Sequence, residues 1–454
     1  MIEKLDSIIW GLPLITAIMF TGVWLTLRLC GCHLKDIPRA FRLLASGGEE
    51  EGSHGEVSNF ASLCMALSAT IGTGNIVGVA TAIALGGPGA LFWMIVAAFF
   101  GMATKYAEGL LAVKYREVTP EGRILGGPFY YIEKGLGPKW KPLAIAFAIF
   151  GTCAGIMGIG TITQVNGITG AVETFFQPGH TGGYSLSVIL SGLVVTLATG
   201  LVVIGGVKRI AKVSTIIVPF MASSYILFAL VVLAVNIKEI PGAVALIVKA
   251  AFNPAAFTGG AVGSMFVAMQ KGIARGIFSN EAGLGSAPIA AAAAKTKNPV
   301  DQGLICMIGA FIDTIIVCTV TGLVIVVTGA WKPIPGIEGA GITIEAFTRG
   351  LSFLGSSAAA VSSFTLMVSL FFFAFTTIIG WDFYSEKCLE YLVGSKNRLP
   401  IHIFRALYIL MVGIGPYLTV SAVWSIADIM NGLMAFPNLI ALIFLTPIVV
   451  KASK

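Results

Sequence analysis

The chain has 454 residues, of which 56% are hydrophobic and 11% are charged, with a mean hydropathy of +0.90. Soluble domains carry about a quarter charged residues, so this composition excludes an ordinary soluble protein and indicates an all-α polytopic membrane protein. The net charge of +7 does not predict a nucleic-acid partner, because membrane topology explains where the basic residues lie.

Eleven apolar segments are long enough to cross a lipid bilayer as helices, and we number them spans one to eleven. They cover residues 8–29, 58–85, 88–113, 142–171, 184–205, 211–236, 258–293, 302–329, 353–384, 403–420 and 422–450. The first is longer than the apolar core of a signal peptide and has no small-residue cleavage site, so we expect a true span.

Lysine and arginine are concentrated in alternate loops. The side that begins with the loop at 28–57 holds 22 of the 29, including the C-terminal tail, whereas the opposite side holds five. Because positive charge marks the cytoplasmic face, we predict a cell-membrane protein with its N-terminus outside and its C-terminus in the cytoplasm.

Span two carries the stretch SATIGTGNIVGVA at 68–80, which is rich in glycine and polar residues. A helix break there would expose N–H groups, which suit a carboxylate, and carbonyl groups, which suit a sodium ion. The residues that would permit or line such a break are Gly72, Gly74, Gly78, Thr73 and Asn75. The alternative is that the glycines serve close helix packing.

Span seven is also interrupted, in the stretch QKGIARGIFSNEAGLGS at 270–286. It follows span two by five spans, and paired glycine-interrupted helices in two halves are typical of inverted-repeat transporters. We therefore predict a peripheral helix and cytoplasmic loop over 1–57, a five-helix repeat over 58–236 and an inverted second repeat over 258–450, all in one transport domain.

Thr376 and Thr377 in span nine are adjacent, about 100° apart on a helix, so two hydroxyls can face one neighbouring point. The alternative is that each hydroxyl donates back to a carbonyl one turn earlier.

Span seven also carries Lys271 and Arg275, with Glu281 further toward the cytoplasm. Charges inside a membrane are costly and usually functional, so we expect either an inner gate or a static ion pair. The candidate acidic partners are Glu108, Asp313 and Asp382. In the last span, Asp428 and Asn431 either line an outer vestibule or serve capping and packing.

The stretches GGPGALFWMIVAAFFGMATKYAE at 86–108 and FSNEAGLGSAPIAAAA at 278–293 resemble hallmark stretches of the alanine/glycine:cation symporter family. The resemblance extends over essentially the whole chain. It implies a LeuT-like fold of five-plus-five inverted repeats, with eleven transmembrane helices that include one extra N-terminal helix. It also implies a transporter and not an enzyme.

The resemblance implies a substrate site formed by two helix breaks. In span two, the N–H groups of Thr73 and Gly74 would bind the substrate carboxylate. The substrate-binding residues would be Thr73, Gly74, Asn75, Gln270, Gly272 and Ile273. Span four adds Gly155, Thr161 and Gln164 as pocket candidates that the sequence does not rank.

The resemblance also implies one sodium site between spans two and nine. Its ligands would be the carbonyl oxygens of Ser68, Ile71 and Phe373 and the hydroxyls of Thr376 and Thr377. The threonine that helps to bind a second ion in the LeuT pattern is Ala268 here, which disfavours a second ion and leaves Asn75 and Thr70 as its candidate ligands.

The resemblance therefore implies sodium-coupled symport of alanine or glycine by alternating access, with the broken spans rocking against spans four, five, nine and ten. One chain contains both breaks, so a monomer is sufficient. Two alternatives stay open: a proton-coupled symporter of the same fold and a sodium-permeable channel.

Overall fold

The structure is a computed structural model of the chain. It describes residues 9–45, 55–120, 122–177, 185–252, 265–333, 337–394, 398–418 and 420–454, with the single residues 2, 335 and 396. Most of the described chain is helical, which satisfies backbone N–H and C=O groups within each segment, as the interior of a bilayer requires.

The chain begins with an apolar helix, a short polar connection and the first broken span. The elements are α1 (Leu12–Arg28), α2 (Cys32–Lys35), α3 (Ile37–Ala45), α4 (Asn59–Thr70), a 3₁₀ turn (Thr73–Asn75) and α5 (Val77–Gly86).

The rest of the first half contains long helices and one small hairpin, whose strands β1 and β2 pair antiparallel. In order, the elements are α6 (Gly89–Lys114), β1 (Glu117–Val118), β2 (Ile124–Leu125), α7 (Pro128–Tyr130), a π turn (Tyr131–Gly135), a 3₁₀ turn (Pro138–Trp140), α8 (Lys141–Met157), α9 (Ile162–Phe176), α10 (Leu186–Val203), α11 (Gly206–Val235), a 3₁₀ turn (Ile237–Glu239) and α12 (Ile240–Phe252).

The second half begins with the other interrupted span. Its elements are α13 (Met265–Asn280), α14 (Ala287–Ala292), α15 (Pro299–Ala310), a π-helical segment (Phe311–Cys318), α16 (Thr319–Val327), α17 (Ala340–Gly350), a 3₁₀ turn (Ser352–Leu354), α18 (Ser357–Val393), α19 (Leu399–Ile414), a 3₁₀ turn (Gly415–Tyr417) and α20 (Val420–Ala452).

Within the described residues, eight helical stretches are long and apolar enough to cross a membrane, and the pair α4 and α5, bent by 64°, makes a ninth. The apolar helix α1 has only 17 residues, and α13 is followed by a break. Each of the eleven predicted spans contains at least one helix. That all eleven cross the bilayer remains a prediction.

Three features depart from the predicted elements. The helices α12 and α17 lie in segments predicted as loops, and span four is interrupted at 158–161, between α8 and α9. The apolar run through 142–171 does not reveal this interruption, because glycine and β-branched residues are common throughout membrane helices.

The second helix break lies about ten residues later than predicted. The helix α13 is continuous through residues 270–273. A Cβ added to Gly272 would lie 2.2 Å from the carbonyl oxygen of Ala90. The prediction of a break at Gly272 is therefore wrong, because this glycine allows close packing of α13 on α6.

The chain leaves helical geometry at 281–286 instead. Glu281, Gly283 and Gly285 have positive φ angles of 56°, 88° and 82°, which a right-handed helix excludes. Residues 276–294 are all buried. The second break is thus part of the protein interior, where irregular backbone is tolerated in a membrane protein.

The two broken spans lie together. The first half of span two, α4, packs against α11 and α18, and its second half, α5, packs along α13. The helix α13 also packs against α6. This arrangement brings the first break next to the end of α13 and the middle of α18.

Candidate substrate and ion site

The break in span two is a short extended segment. Ile71 (φ −75°, ψ 94°) and Gly72 (φ −140°, ψ −149°) are extended, and the 3₁₀ turn Thr73–Asn75 follows before α5 begins. Glycine and β-branched residues are weak helix formers, so this composition favours the break. The segment presents backbone groups that no helix satisfies.

Two glycines let polar groups approach this backbone. A Cβ on Gly72 would lie 2.6 Å from the Thr377 hydroxyl oxygen and 3.1 Å from Gln164 Oε1, and a Cβ on Gly74 would lie 3.3 Å from the backbone of α13. The same position on Gly78 has no heavy atom within 4 Å. Close approach therefore explains the first two glycines but not the third.

The N–H groups of the break are only partly engaged. Gly72 donates to Asn75 Oδ1 at 2.9 Å, and Thr73 donates to Gln164 Oε1 at 3.3 Å. In the part of the chain that the structure describes, neither the Gly74 N–H nor the buried Thr73 hydroxyl has a hydrogen-bond partner. Buried polar groups without partners are costly, so the break is suited to a polar ligand.

Asp313 holds the far side of Asn75. The Asn75 amide donates to Asp313 Oδ1 at 2.8 Å and to its backbone oxygen at 3.1 Å. The hydroxyls of Ser279 and Thr314 donate to Asp313 Oδ2 at 2.9 and 2.6 Å. This fully buried carboxylate thus links the first break, the end of α13 and the π-helical segment.

The sequence does not single out two residues of this site. It does not rank Gln164 above Gly155 or Thr161, and it offers Asp313 only as an ion-pair partner for span seven. The available signal is the presence of a polar side chain inside an apolar run, which marks a functional residue without saying what it contacts.

Four predicted sodium ligands lie together between α4 and α18. The Thr377 hydroxyl lies 3.3 Å from the Ile71 carbonyl oxygen and 3.0 Å from that of Phe373. The Thr376 hydroxyl lies 3.0 Å from the same Phe373 oxygen. All these groups are oxygen donors of the kind that hard cations prefer.

The fifth predicted ligand, Ser68, lies one turn earlier. Its hydroxyl donates to the Met65 carbonyl at 2.7 Å and faces Gly380 of α18. The hydroxyls of Thr376 and Thr377 also donate back along their own helix, as the alternative predicted. The geometry is therefore compatible both with a sodium site and with simple bonding back to the helix. A hydroxyl that donates its proton to a carbonyl still has a lone pair for a cation.

The second break is tied to α18 by Glu281. Its carboxylate accepts hydrogen bonds from the Ser286 hydroxyl and from Trp381 Nε1, the latter at 2.9 Å. Trp381 lies one turn after Thr377 on the same helix. The break in span seven and the predicted sodium ligands are therefore attached to one stretch of α18.

Glu108 of α6 binds the same break from the other side. Its carboxylate accepts from the Gly283 N–H at 3.1 Å and from the Asn438 amide at 2.7 Å. Asn438 of α20 also donates to the Gly283 carbonyl at 2.9 Å. The unwound backbone of the second break is thus satisfied by protein groups on α6 and α20.

The predicted gating residues do not form one cluster. Arg275 pairs with Asp428 of α20 at 3.3 Å, while Glu281 lies at the second break. The acidic residues predicted as partners are buried elsewhere: Glu108, Asp313 and Asp382. The structure therefore pairs Arg275 with Asp428, a carboxylate that the sequence does not single out as its partner.

The Arg275–Asp428 pair lines a cavity together with Trp10, just before α1, and Leu85, near the end of α5. The start of α1 and the end of α5 are the helix ends opposite those that join the basic loop at 28–57. In the predicted topology this is the outer side.

Gln270, Gly272 and Ile273 lie in the same part of α13 as Arg275. Gln270 lines the cavity, and Gly272 and Ile273 are buried. Gln270 precedes Phe278, which touches the first break, by about 12 Å of helix. The structure therefore places Gln270 away from Thr73–Asn75.

The opposite end of span seven is held by Arg116. Its guanidinium donates to the carbonyl oxygens of Ala292, Ala294 and Thr296 at 2.6–2.7 Å. Val57 forms a parallel bridge with Ala294 beside it. The carbonyl groups after α14 are thereby capped on the side of the basic loops.

Broken membrane helices that meet around unengaged backbone groups are typical of secondary transporters. The chain belongs to the sodium:alanine symporter family, whose family model matches residues 1–454. It is therefore a transporter rather than an enzyme, of the class of sodium-coupled amino-acid symporters.

Individual relatives match over most of their length. The chain is 45% identical to the sodium/alanine symporter AgcS of Methanococcus maripaludis, with 100% of this chain and 96% of the relative covered. It is 52% identical to an uncharacterized transporter of Haemophilus influenzae (100% and 95%). It is 37% identical to the probable sodium/glutamine symporter GlnT of Bacillus subtilis (99% and 88%).

Proposed function

We propose that the protein couples sodium to the symport of alanine or glycine by alternating access. One observation carries the proposal: the Thr377 hydroxyl lies 3.3 Å from the Ile71 carbonyl, immediately before the unengaged groups of Thr73 and Gly74. A sodium ion beside Thr377 and Ile71 and an amino acid on Thr73 and Gly74 would be neighbours on one unwound segment.

The substrate carboxylate would bind the N–H groups of Thr73 and Gly74. Gln164 Oε1 accepts from Thr73 N–H at 3.3 Å, so the carboxylate would replace this amide oxygen. A charged acceptor makes a stronger hydrogen bond than a neutral one. Asn75 and the Asp313 carboxylate behind it would provide the negative side of the site for the ammonium group.

The space beside the break suits a small side chain. The Thr73 methyl lies 2.6 Å from where a Cβ on Gly167 would be, and a Phe278 ring carbon lies 3.6 Å from the same position on Gly74. Side chains packed this closely restrict the space beside the break. A small substrate such as glycine or alanine would therefore fit better than larger amino acids.

The sodium ion would bind between α4 and α18. The carbonyl oxygens of Ser68, Ile71 and Phe373 and the hydroxyls of Thr376 and Thr377 would be its ligands. Because the ion would hold the unwound segment against α18, sodium and substrate would each raise the other's affinity by the same factor. One sodium per substrate is the proposed stoichiometry.

Alternating access would move the two broken spans against the helices of spans four, five, nine and ten. The Arg275–Asp428 pair, with Lys271 beside it, would close the outer side, and Arg116 would close the inner side. Glu281 would keep the second break attached to α18. These groups cap opposite ends of α13 and α14, so they could be released alternately.

A proton-coupled symporter is the second candidate, and the buried carboxylate of Asp313 favours it. It hydrogen-bonds to Asn75 at 2.8 Å, so a proton on it would reach the site. The sodium proposal has stronger support, because the hydroxyls of Thr376 and Thr377 do not titrate and so cannot carry a proton.

Uptake of labelled alanine into proteoliposomes separates the two. We expect an inward sodium gradient to drive accumulation, while potassium and proton gradients of the same size do not. Accumulation driven by a proton gradient in the absence of sodium would favour the second candidate. Passive, non-saturable flux without counterflow would indicate a channel.

A further inference from the structure

Lys105 is a buried cation of α6 that the proposed function does not use. The residue is 2% exposed, and α6 is one of the helices that are apolar enough to cross the membrane. Among the residues that the structure describes, its ammonium has no hydrogen-bond partner and no ion pair. A buried charge without a partner is costly in a membrane helix, and such residues are usually functional.

The face of α6 that carries Lys105 lies along the second break. A Cβ on Gly101, one turn before Lys105, would lie 2.9 Å from the Cβ of Ala282. Glu108, one turn after Lys105, accepts from the Gly283 N–H at 3.1 Å. Residues three and four apart share one face of a helix, so Lys105 lies between these two contacts and faces the break.

The buried carboxylate of Glu281 is bound by groups from two different parts of the molecule. The Ser286 hydroxyl lies in the break itself, whereas Trp381 Nε1, at 2.9 Å, belongs to α18. In the proposed movement span seven leaves span nine, so the bond to Trp381 breaks while Ser286 moves with Glu281. The carboxylate then lacks a donor, which is costly for a buried charge.

Close packing ties α6 to span seven. A Cβ on Gly272 would lie 2.2 Å from the Ala90 carbonyl oxygen, and one on Gly276 would lie 3.1 Å from a side-chain carbon of α6. Surfaces packed this tightly move as one body. Lys105 therefore stays beside Glu281 during the movement, and its charge interacts with that carboxylate.

Glu108 is the other carboxylate with which the charge of Lys105 interacts. It accepts from the Gly283 N–H and the Asn438 amide, and Asn438 also donates to the Gly283 carbonyl. None of these donors belongs to α18, so Glu108 keeps them when span nine moves away. Its second oxygen has no partner among the described residues, and Glu108 is therefore the rival partner that the experiment has to separate.

We propose that Lys105 is the exchange partner of Glu281 in the transport cycle. When spans seven and nine separate, the carboxylate leaves Trp381 Nε1 and forms an ion pair with the Lys105 ammonium, whose flexible stem allows the approach. Lys105 is thus a positioning residue that stabilises the second conformation of the break. This inference rests on the proposed function, because it assumes that these two spans move relative to each other.

The first test separates the rate of transport from substrate binding. Lys105→Gln should lower the maximal rate of alanine uptake at least tenfold, because the separated conformation then contains an unpaired carboxylate. Alanine affinity at equilibrium, with sodium present, should stay within threefold, since the conformation with the Trp381 bond does not use the pair. A wild-type uptake rate in Lys105→Gln would overturn the proposal.

Two lysine variants serve as controls. Lys105→Arg keeps the charge and should retain at least a third of the wild-type rate. Lys114→Gln removes the same charge at the exposed end of α6 and should behave like the wild type. A loss in Lys105→Arg as large as that in Lys105→Gln would contradict a role for the charge.

A double variant identifies the carboxylate. Glu281→Gln removes the charge that needs a counter-ion but keeps an oxygen that can accept from Trp381. Lys105→Gln/Glu281→Gln should therefore transport at least fivefold faster than Lys105→Gln alone. Rescue by Glu108→Gln in place of Glu281→Gln would contradict the assigned partner.

Hydrogen exchange of the backbone at 281–286 gives a readout that needs neither sodium nor alanine. Trp381→Phe removes the donor on α18 and should raise the exchange rate at least threefold, because the break is released from α18 more often. Lys105→Gln should lower the rate, because it destabilises the released conformation. Faster exchange in Lys105→Gln would indicate a structural role and overturn the proposal, whereas missing sodium stimulation of wild-type uptake would overturn only the proposed function.

Discussion

The hydroxyl of Thr377 and the carbonyl of Ile71 lie 3.3 Å apart, across the interface between α18 and the broken span two. They are separated by 306 positions in the chain. The contact joins a regular helix to the segment where another helix unwinds. A cation bound at this point would therefore control the shape of the break directly.

Replacing Thr377 tests this contact. Thr377→Val keeps the shape of the side chain and removes its hydroxyl, so we expect the sodium affinity measured by uptake to fall at least tenfold, equivalent to about 1.4 kcal/mol. Thr377→Ser keeps the hydroxyl and should stay within about threefold. Ser369→Ala removes a similar back-bonded hydroxyl on the same helix and should behave like the wild type. Equal sodium dependence in Thr377→Val would contradict the site.

The glycines of the first break give a second test. A Cβ on Gly72 would collide with Thr377 and Gln164, whereas one on Gly78 meets nothing within 4 Å. Gly72→Ala should therefore reduce alanine uptake more than tenfold, and Gly78→Ala should keep most of it. Uptake should be compared at equal amounts of folded protein in the membrane. If Gly72→Ala transports normally, close approach at this position is not required.

The position of Asp313 predicts that this residue affects substrate binding, which the sequence does not reveal. Hydrogen bonds to charged groups contribute about 1.5–3 kcal/mol, against about 0.5–1.5 kcal/mol for neutral ones. Asp313→Asn should therefore loosen Asn75 and raise the KM for alanine roughly tenfold. Asp301→Asn, just before the same span, affects contacts with the half-exposed Arg39 and with Asn298 and should have little effect. An unchanged KM in Asp313→Asn would contradict a role at the site.

His33 predicts a pH dependence of stability outside the membrane spans. Its side chain is 1% exposed, and burial lowers the pKa of His33 from 6.5 to about 4. The unfolded chain therefore binds more protons, so stability is complete above about pH 6.5 and decreases as the pH falls toward 4. His33→Phe should flatten the melting temperature over this range.

The control for His33 is His402→Phe, which changes an exposed histidine. It should keep the wild-type dependence of melting temperature on pH. The same slope in His33→Phe and the wild type would show that other groups cause the loss of stability.

Local composition predicts the first break but misplaces the second. The run from Ile71 to Asn75 combines glycine with weak helix formers, so its effect on the backbone is local. In span seven, Gly272 and Gly283 look alike in sequence. Only the neighbouring chain distinguishes them, since Ala90 packs against Gly272, while Gly283 takes a positive φ.

Long-range contacts explain what the sequence does not predict in the site. Asn75 and Asp313 are 238 positions apart, and Thr73 and Gln164 are 91 apart. No periodicity within one span specifies such pairs. The contact of Thr377 with Ile71 could be expected only through the resemblance to a known family, which supplies the pairing of spans two and nine.

The most direct test of the central claim is the binding of alanine and sodium to the purified protein, each measured as a function of the other. If both occupy the break beside Thr377, sodium should raise the alanine affinity and alanine should raise the sodium affinity by the same factor, and Thr376→Ala/Thr377→Ala should abolish both effects. Alanine binding of equal affinity with and without sodium would contradict the account.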